Sequence, residues 1–246
     1  MSTVVSESAA RQTFRLSFYF WIVMVMAVFV FGGFGLRAVQ RYATNDPPLP
    51  PVVHLHGLVF ASWMTLLIAQ TSLINAGNVA LHRSLGTFGI ALGTAVLFTG
   101  GLITAIGFRP LSPATPFYYD LLYLSLVAIL GFGLLFTLAI RQVRKPENHR
   151  RLILFATIPL LPPGINRMYQ VSFELNYLPV LATYLTMAAI AAAILIHEWR
   201  TTHKIGNASL IGAAVVFGQQ LLHAPITRSD WFAAMTSSLL SLVHYR

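Results

Sequence analysis

Histidine is the chain's main source of chemistry. There are 8 histidines and no cysteine. The missing thiols exclude disulfides, cysteine nucleophiles, thiolate metal sites and Cys-ligated iron–sulfur clusters. Imidazole still allows metal or haem ligation and proton transfer. The histidines fall into two layers along apolar runs. One layer holds His54, His56 and His223, with Asp120, Asn166, Arg167 and Glu174. The other holds His82-Arg83, His149-Arg150-Arg151, His197-Glu198 and Gln70. From His54 to Gln70 is sixteen residues, about 24 Å of helix at 1.5 Å per residue.

Each cluster admits two readings. His54 and His56 are two apart, so they do not share a helix face and cannot easily chelate one ion. One of them, paired with His223 at matching depth, would give a bis-histidine haem site; the alternative is interfacial histidines bonded to backbone or water. His82-Arg83 and His149-Arg150-Arg151 each open an apolar helix. Helix N-termini attract anions, so these residues could hold a phosphate, a lipid headgroup or a haem propionate, or the histidines could ligate a metal. The other reading is flanking charge with a polar cap. Asn166 and Arg167 follow three prolines and a glycine, Pro159 to Gly164, which must break or kink the helix. That segment reads as the wall of a pocket or as a strut, with Asp120 or Glu174 as counter-ion. Gly86, Gly89 and Gly93 allow close helix packing, which also suits a flat cofactor.

Several chemistries fail on spacing. His197-Glu198 with His203 is not the H-E-x-x-H of zinc proteases. No G-x-S-x-G elbow or P-loop occurs. The last apolar run, about 208–226, has no lysine for a retinal Schiff base.

The elements that must position these groups follow from composition. Of 246 residues, 56% are apolar and 9% charged, against about 25% charged in soluble domains. Too few charges remain to solvate a water-facing surface. The expected fold is an all-α, polytopic membrane helix bundle. Seven runs approach the roughly 20 residues needed to span, at about 17–39, 52–74, 86–108, 119–140, 152–172, 179–198 and 208–226. Prolines stiffen two linkers, from Pro47 to Pro51 and from Pro110 to Pro116. Residues 1–16 form an N-terminal segment, 17–226 a single bundle, and 227–246 an amphipathic interfacial helix carrying Trp231, Phe232, Met235, Leu239, Leu240 and Val243.

The net charge of +9 is explained by membrane-flanking loops that meet lipid headgroups, without invoking nucleic acid. Ten Lys and Arg fall on the side of the N-terminus, Arg11, Arg15 and the Arg141–Arg151 loop among them, against six on the other, Arg109 and Arg246 included. That bias predicts a cytoplasmic N-terminus and an outer C-terminus in the cell membrane.

The pattern His54…Trp63…Gln70, Leu81-His82-Arg83-x-Leu85-Gly86 and His149-Arg150-Arg151-Leu152 resembles an uncharacterised family of bacterial multi-pass membrane proteins. The likeness covers roughly 50–170 and implies that His54, His82 and His149 belong to one design. His56 and the proline-rich fifth helix depart from it. A weaker likeness of layout is to the cytochrome b561 type, in which histidines near both faces hold two haems.

The functional expectation is a redox or electron-transfer protein that binds haem b or a metal ion through its histidines, with quinone or a redox protein as partner. The alternative is a transporter, sensor or assembly subunit with structural or pH-responsive histidines. A lipid-directed metal hydrolase ranks last, for want of a well-placed carboxylate base beyond Asp120.

Overall fold

The computed structural model describes residues 16–107 and 116–243, with the backbone alone at 107, 116, 117 and 239–243. Arg11, Arg15, Arg109, Pro110, Pro113 and Arg246 lie outside the described residues. Among these residues every regular element is a helix. Six are long and apolar enough to cross a membrane: α1 (Phe18–Ala43), α2 (Pro51–Asn75), α3 (Val79–Gly107), α4 (Pro116–Arg141), α6 (Val180–Thr202) and α7 (Asn207–Thr227). Phe98, Leu130 and Leu221 are exposed around the outside, as lipid-facing residues must be. The chain is a multi-pass membrane protein.

The fifth run is broken, so it does not count as a seventh uninterrupted span. Its first half is Pro146–Thr157, its second Pro162–Ser172, joined by a 3₁₀ turn at Ile158–Leu160. Proline has no N–H to donate and its ring crowds the preceding turn, which forces this change at Pro159 and Pro162. The two halves, α5, still traverse the bundle beside antiparallel α6. Arg151 meets Glu198 near one end, and Thr183 Oγ1 donates to Asn166 Oδ1 at 2.5 Å near the other. Both residues of the second pair are buried. Replacing Thr183 with valine strands the Asn166 carbonyl and should cost about 0.5–2 kcal/mol, the range for interhelical hydrogen bonds in membranes. Detergent melting curves would check it, and an unchanged midpoint would refute the role.

Sharp turns set the neighbours. Gly77 takes a left-handed φ of 71°, which only glycine adopts cheaply. It folds α3 back on α2, and Asn78 caps the new helix by accepting from Leu81 N at 3.1 Å. Helix α3 therefore starts seven residues before the expected 86, with His82 and Arg83 in its first turns. Helix α1 contains a wide π turn at Val28–Gly32, where the second half of α5 crosses it. The core joins Met26, Met64, Phe132, Phe155, Leu161 and Ile194, all fully buried. Trp63 packs edge-on against Phe132 and Phe136 at 5.2 and 5.6 Å.

The C-terminal helix, α8 (Asp230–Val243), is not merely laid on lipid. Phe232 is 2% exposed, against 58% for Trp231, because it enters an aromatic cluster with Tyr118, Tyr119 and Tyr123 of α4. Of the expected apolar stripe, Phe232 and Met235 thus join the bundle and Trp231 faces the surroundings; the side chains of Leu239, Leu240 and Val243 lie outside the described residues.

Candidate functional site

The α2–α3 hairpin, the start of α1, the end of α4 and the start of α5 enclose a cavity of about 210 Å³. It lies toward the side on which α1 begins, here the near side. Because α2 is antiparallel to α3, Gln70 near the end of one faces His82 near the start of the other. The turn after α4 brings His149 and Arg150 to the same space. Leu66, Leu67, Phe136, Ile140, Ile153 and Leu154 supply the apolar walls, and Gly86 and Gly89 leave room along α3.

The polar groups of this cavity are unusually under-employed. Among the described residues, Trp63 Nε1, Gln70 Oε1, Asn75 Nδ2 and His82 Nδ1 are buried without a hydrogen-bond partner. All four belong to residues that line the cavity. Buried polar groups are normally satisfied, since each orphan costs about 1–3 kcal/mol. Four residues with unmet hydrogen-bonding capacity therefore stand in the walls of one space. The polar residues Trp63, Gln70 and Asn75 are spread over about 18 Å of α2 at 1.5 Å per residue, so the cavity is long and graded in polarity.

His149 is held differently. Its Nδ1–H donates to the Ala139 carbonyl at 2.9 Å, which fixes the ring and leaves Nε2 as the free nitrogen. Arg150 lies with its guanidinium 4.1 Å from the Tyr19 ring centroid and also pairs with Glu147. Ser17 N donates to Asn75 Oδ1 at 3.3 Å, tying α1 to the end of α2.

The neighbouring basic residues do other work. Arg151, expected as an anion ligand, points away from the cavity. Its Nη1 lies 3.2 Å from Glu198 and its Nη2 3.1 Å from Glu147, with 7% and 2% exposure for the Arg151 and Glu198 side chains. Glu198 also accepts from Gly206 N at 2.8 Å and from the Ser209 hydroxyl. Arg83 is exposed outside the cavity lining. His197 stacks on Phe18 with centroids 3.9 Å apart.

The expected far-side pairing of His54 or His56 with His223 is not formed. Helix α2 packs on α1 and α3, whereas α7 packs on α4, α5, α6 and α8. His54 is exposed, and His56 Nδ1 lies 3.3 Å from Thr99 Oγ1. His223 Nε2 is instead 3.1 Å from Asp120 Oδ1. That contact also removes Asp120 as counter-ion to Arg167, which donates to the Pro163 carbonyl at 2.8 Å and covers the Phe34 ring at 4.7 Å. Asn166 is taken up by Thr183. Among the described residues no three His, Asp or Glu side chains converge as a metal site.

Tyr19, Asn75 and Ser17 were not legible as site residues, and Trp63 stood out only in the family pattern. Trp63 and Asn75 share α2 with the candidate Gln70, whereas α1, at whose start Ser17 and Tyr19 lie, carries no candidate residue. The chain matches no family model, no curated protein and no solved structure.

Proposed function

We propose that the near-side cavity binds the head of a quinone and that a redox partner protein exchanges the two electrons with it there, two protons being taken up or released at the same site. The observation that carries this is that four residues with partnerless polar atoms line one apolar-walled space. A quinone presents two carbonyl acceptors, for which Trp63 N–H, the Asn75 amide and Arg150 are donors. The quinol presents two hydroxyl donors, for which Gln70 Oε1 and the free His149 Nε2 are acceptors. His82 can serve either state through its tautomers. Both oxidation states are therefore matched. With the N-terminus inside, the cavity faces the cytoplasm, and His82 and His149 stand where protons would enter on reduction.

Haem b is the second reading, favoured by His149, whose Nδ1–H bond to a carbonyl is the arrangement that orients ligating imidazoles. The volume favours the quinone. About 210 Å³ is below the roughly 300–1,000 Å³ of sites enclosing drug-sized ligands, and a macrocycle is larger still.

The test is solvent extraction and an oxidised-minus-reduced spectrum of detergent-purified protein, followed by titration with a short-chain quinone read by tryptophan quenching. Quinone in the extract and saturable quenching lost in Trp63→Phe are expected. His82→Leu should weaken binding about tenfold, since leaving a buried polar group unpaired costs about 1–3 kcal/mol, and Gly86→Leu should weaken it at least as much by filling the cavity. A reduced-state α band would favour haem. No quinone, no quenching and no chromophore would overturn the redox reading and leave a transporter, sensor or assembly subunit.

A further inference from the structure

On the far side a second cavity, of about 490 Å³, lies between the start of α4, the start of α6 and the end of α7. It contains one carboxylate, Asp120, and one guanidinium, Arg228, with His223 and Tyr184 between α6 and α7. Asp120 and Arg228 do not pair: among the described residues the contact within 4 Å of the Asp120 carboxylate is His223. That contact is close but poorly aimed, since His223 Nε2 makes no hydrogen bond. The Tyr184 hydroxyl is also buried without a partner, and the Tyr184 ring meets His223 edge-on at 5.5 Å.

Opposite charges that share a cavity yet stay apart suit a ligand carrying both signs. Two oxygen acceptors line one side, the Asp120 carboxylate and the unpartnered Tyr184 hydroxyl, while His223 Nε2, 3.1 Å from Asp120 Oδ1, stands beside the carboxylate as a donor. A primary ammonium has three N–H donors, whereas a quaternary ammonium has none. Arg228 at the rim offers a donor fork that matches phosphate. The site lies at helix ends, where a headgroup region would be, and Leu181 on its lip is 72% exposed to the apolar surroundings.

We propose that this far-side cavity binds the headgroup of phosphatidylethanolamine, with the ammonium on Asp120 and Tyr184 and the phosphate on Arg228. Acyl chains would run beside Leu181 and Leu185. The site is independent of the near-side cavity.

The experiment is native mass spectrometry of the full-length protein in detergent, titrated with phosphatidylethanolamine, phosphatidylcholine and phosphatidylglycerol of one chain composition. Free phosphoethanolamine is added as a competitor. Wild type should prefer the ethanolamine lipid at least tenfold over both others. Asp120→Asn and Tyr184→Phe should abolish the preference over choline, and the exposed Arg228→Gln should lower ethanolamine-lipid retention severalfold without affecting folding. Equal retention of the three lipids, or a preference that survives Asp120→Asn and Arg228→Gln, overturns the proposal. Displacement by free phosphoethanolamine at concentrations comparable to the lipid would keep the headgroup chemistry but overturn the lipid as its source.

Discussion

Glu198→Ala should destabilise the bundle by about 3–5 kcal/mol, the cost of leaving one member of a buried ion pair alone. Arg151 would then be left 7% exposed with only half-exposed Glu147 as counter-charge. The Gly206 N–H and the Ser209 hydroxyl would lose their acceptor as well. These contacts join the start of α5, the end of α6 and the start of α7. Loosening them would displace the segment that carries His149 and Arg150 into the near-side cavity. Glu198→Gln should cost less, because its amide carbonyl still accepts from Gly206. Adding Arg151→Met to Glu198→Ala should recover part of the loss, since the stranded charge is gone. Unfolding in mixed detergent measures all three. If Glu198→Ala melts with wild type, the pair is ornamental and the cavity is held by something else.

Gly33→Ala should be comparably damaging, at about 3 kcal/mol or somewhat more, the upper end for overpacking. A Cβ on Gly33 would sit 2.0 Å from the Gly164 carbonyl oxygen, and one on Gly164 would sit 2.7 Å from the Phe29 oxygen. Both obstructions are backbone, so no rotamer change relieves them. Helix α1 would have to move off the second half of α5. Gly35→Ala is the matched control on the same helix, with nothing within 4 Å of its Cβ. It should be neutral, or stabilising by about 0.5–1 kcal/mol through helix propensity. Equal melting of the two variants would show that the close crossing is not required.

Membrane class was legible because it depends on composition and run length alone, whereas the count of seven runs became six spanning helices and one broken run. The break in α5 was legible too, since Pro159, Pro162 and Pro163 lack the N–H groups an unbroken helix needs. The separation of the polar groups into two layers follows from counting residues along each helix. What the residue order could not carry was the identity of each neighbour. Arg150 and Arg151 are adjacent in the chain, yet one residue turns a helix by about 100°, which puts one at the cavity and the other in the ion-pair network. His223 matched His54 and His56 in depth, but the packing of α7 against α4 gave it Asp120. Nothing in the residue order singled out Asn75, and Trp63 only as part of a family pattern, until the α2–α3 hairpin closed a space beside them. The spanning helices are apolar around most of their circumference, so many docking arrangements would satisfy the lipid equally. Local glycine contacts, buried ion pairs and the proline break select one of them, and only that selection brings His82, His149 and Gln70 to a common cavity.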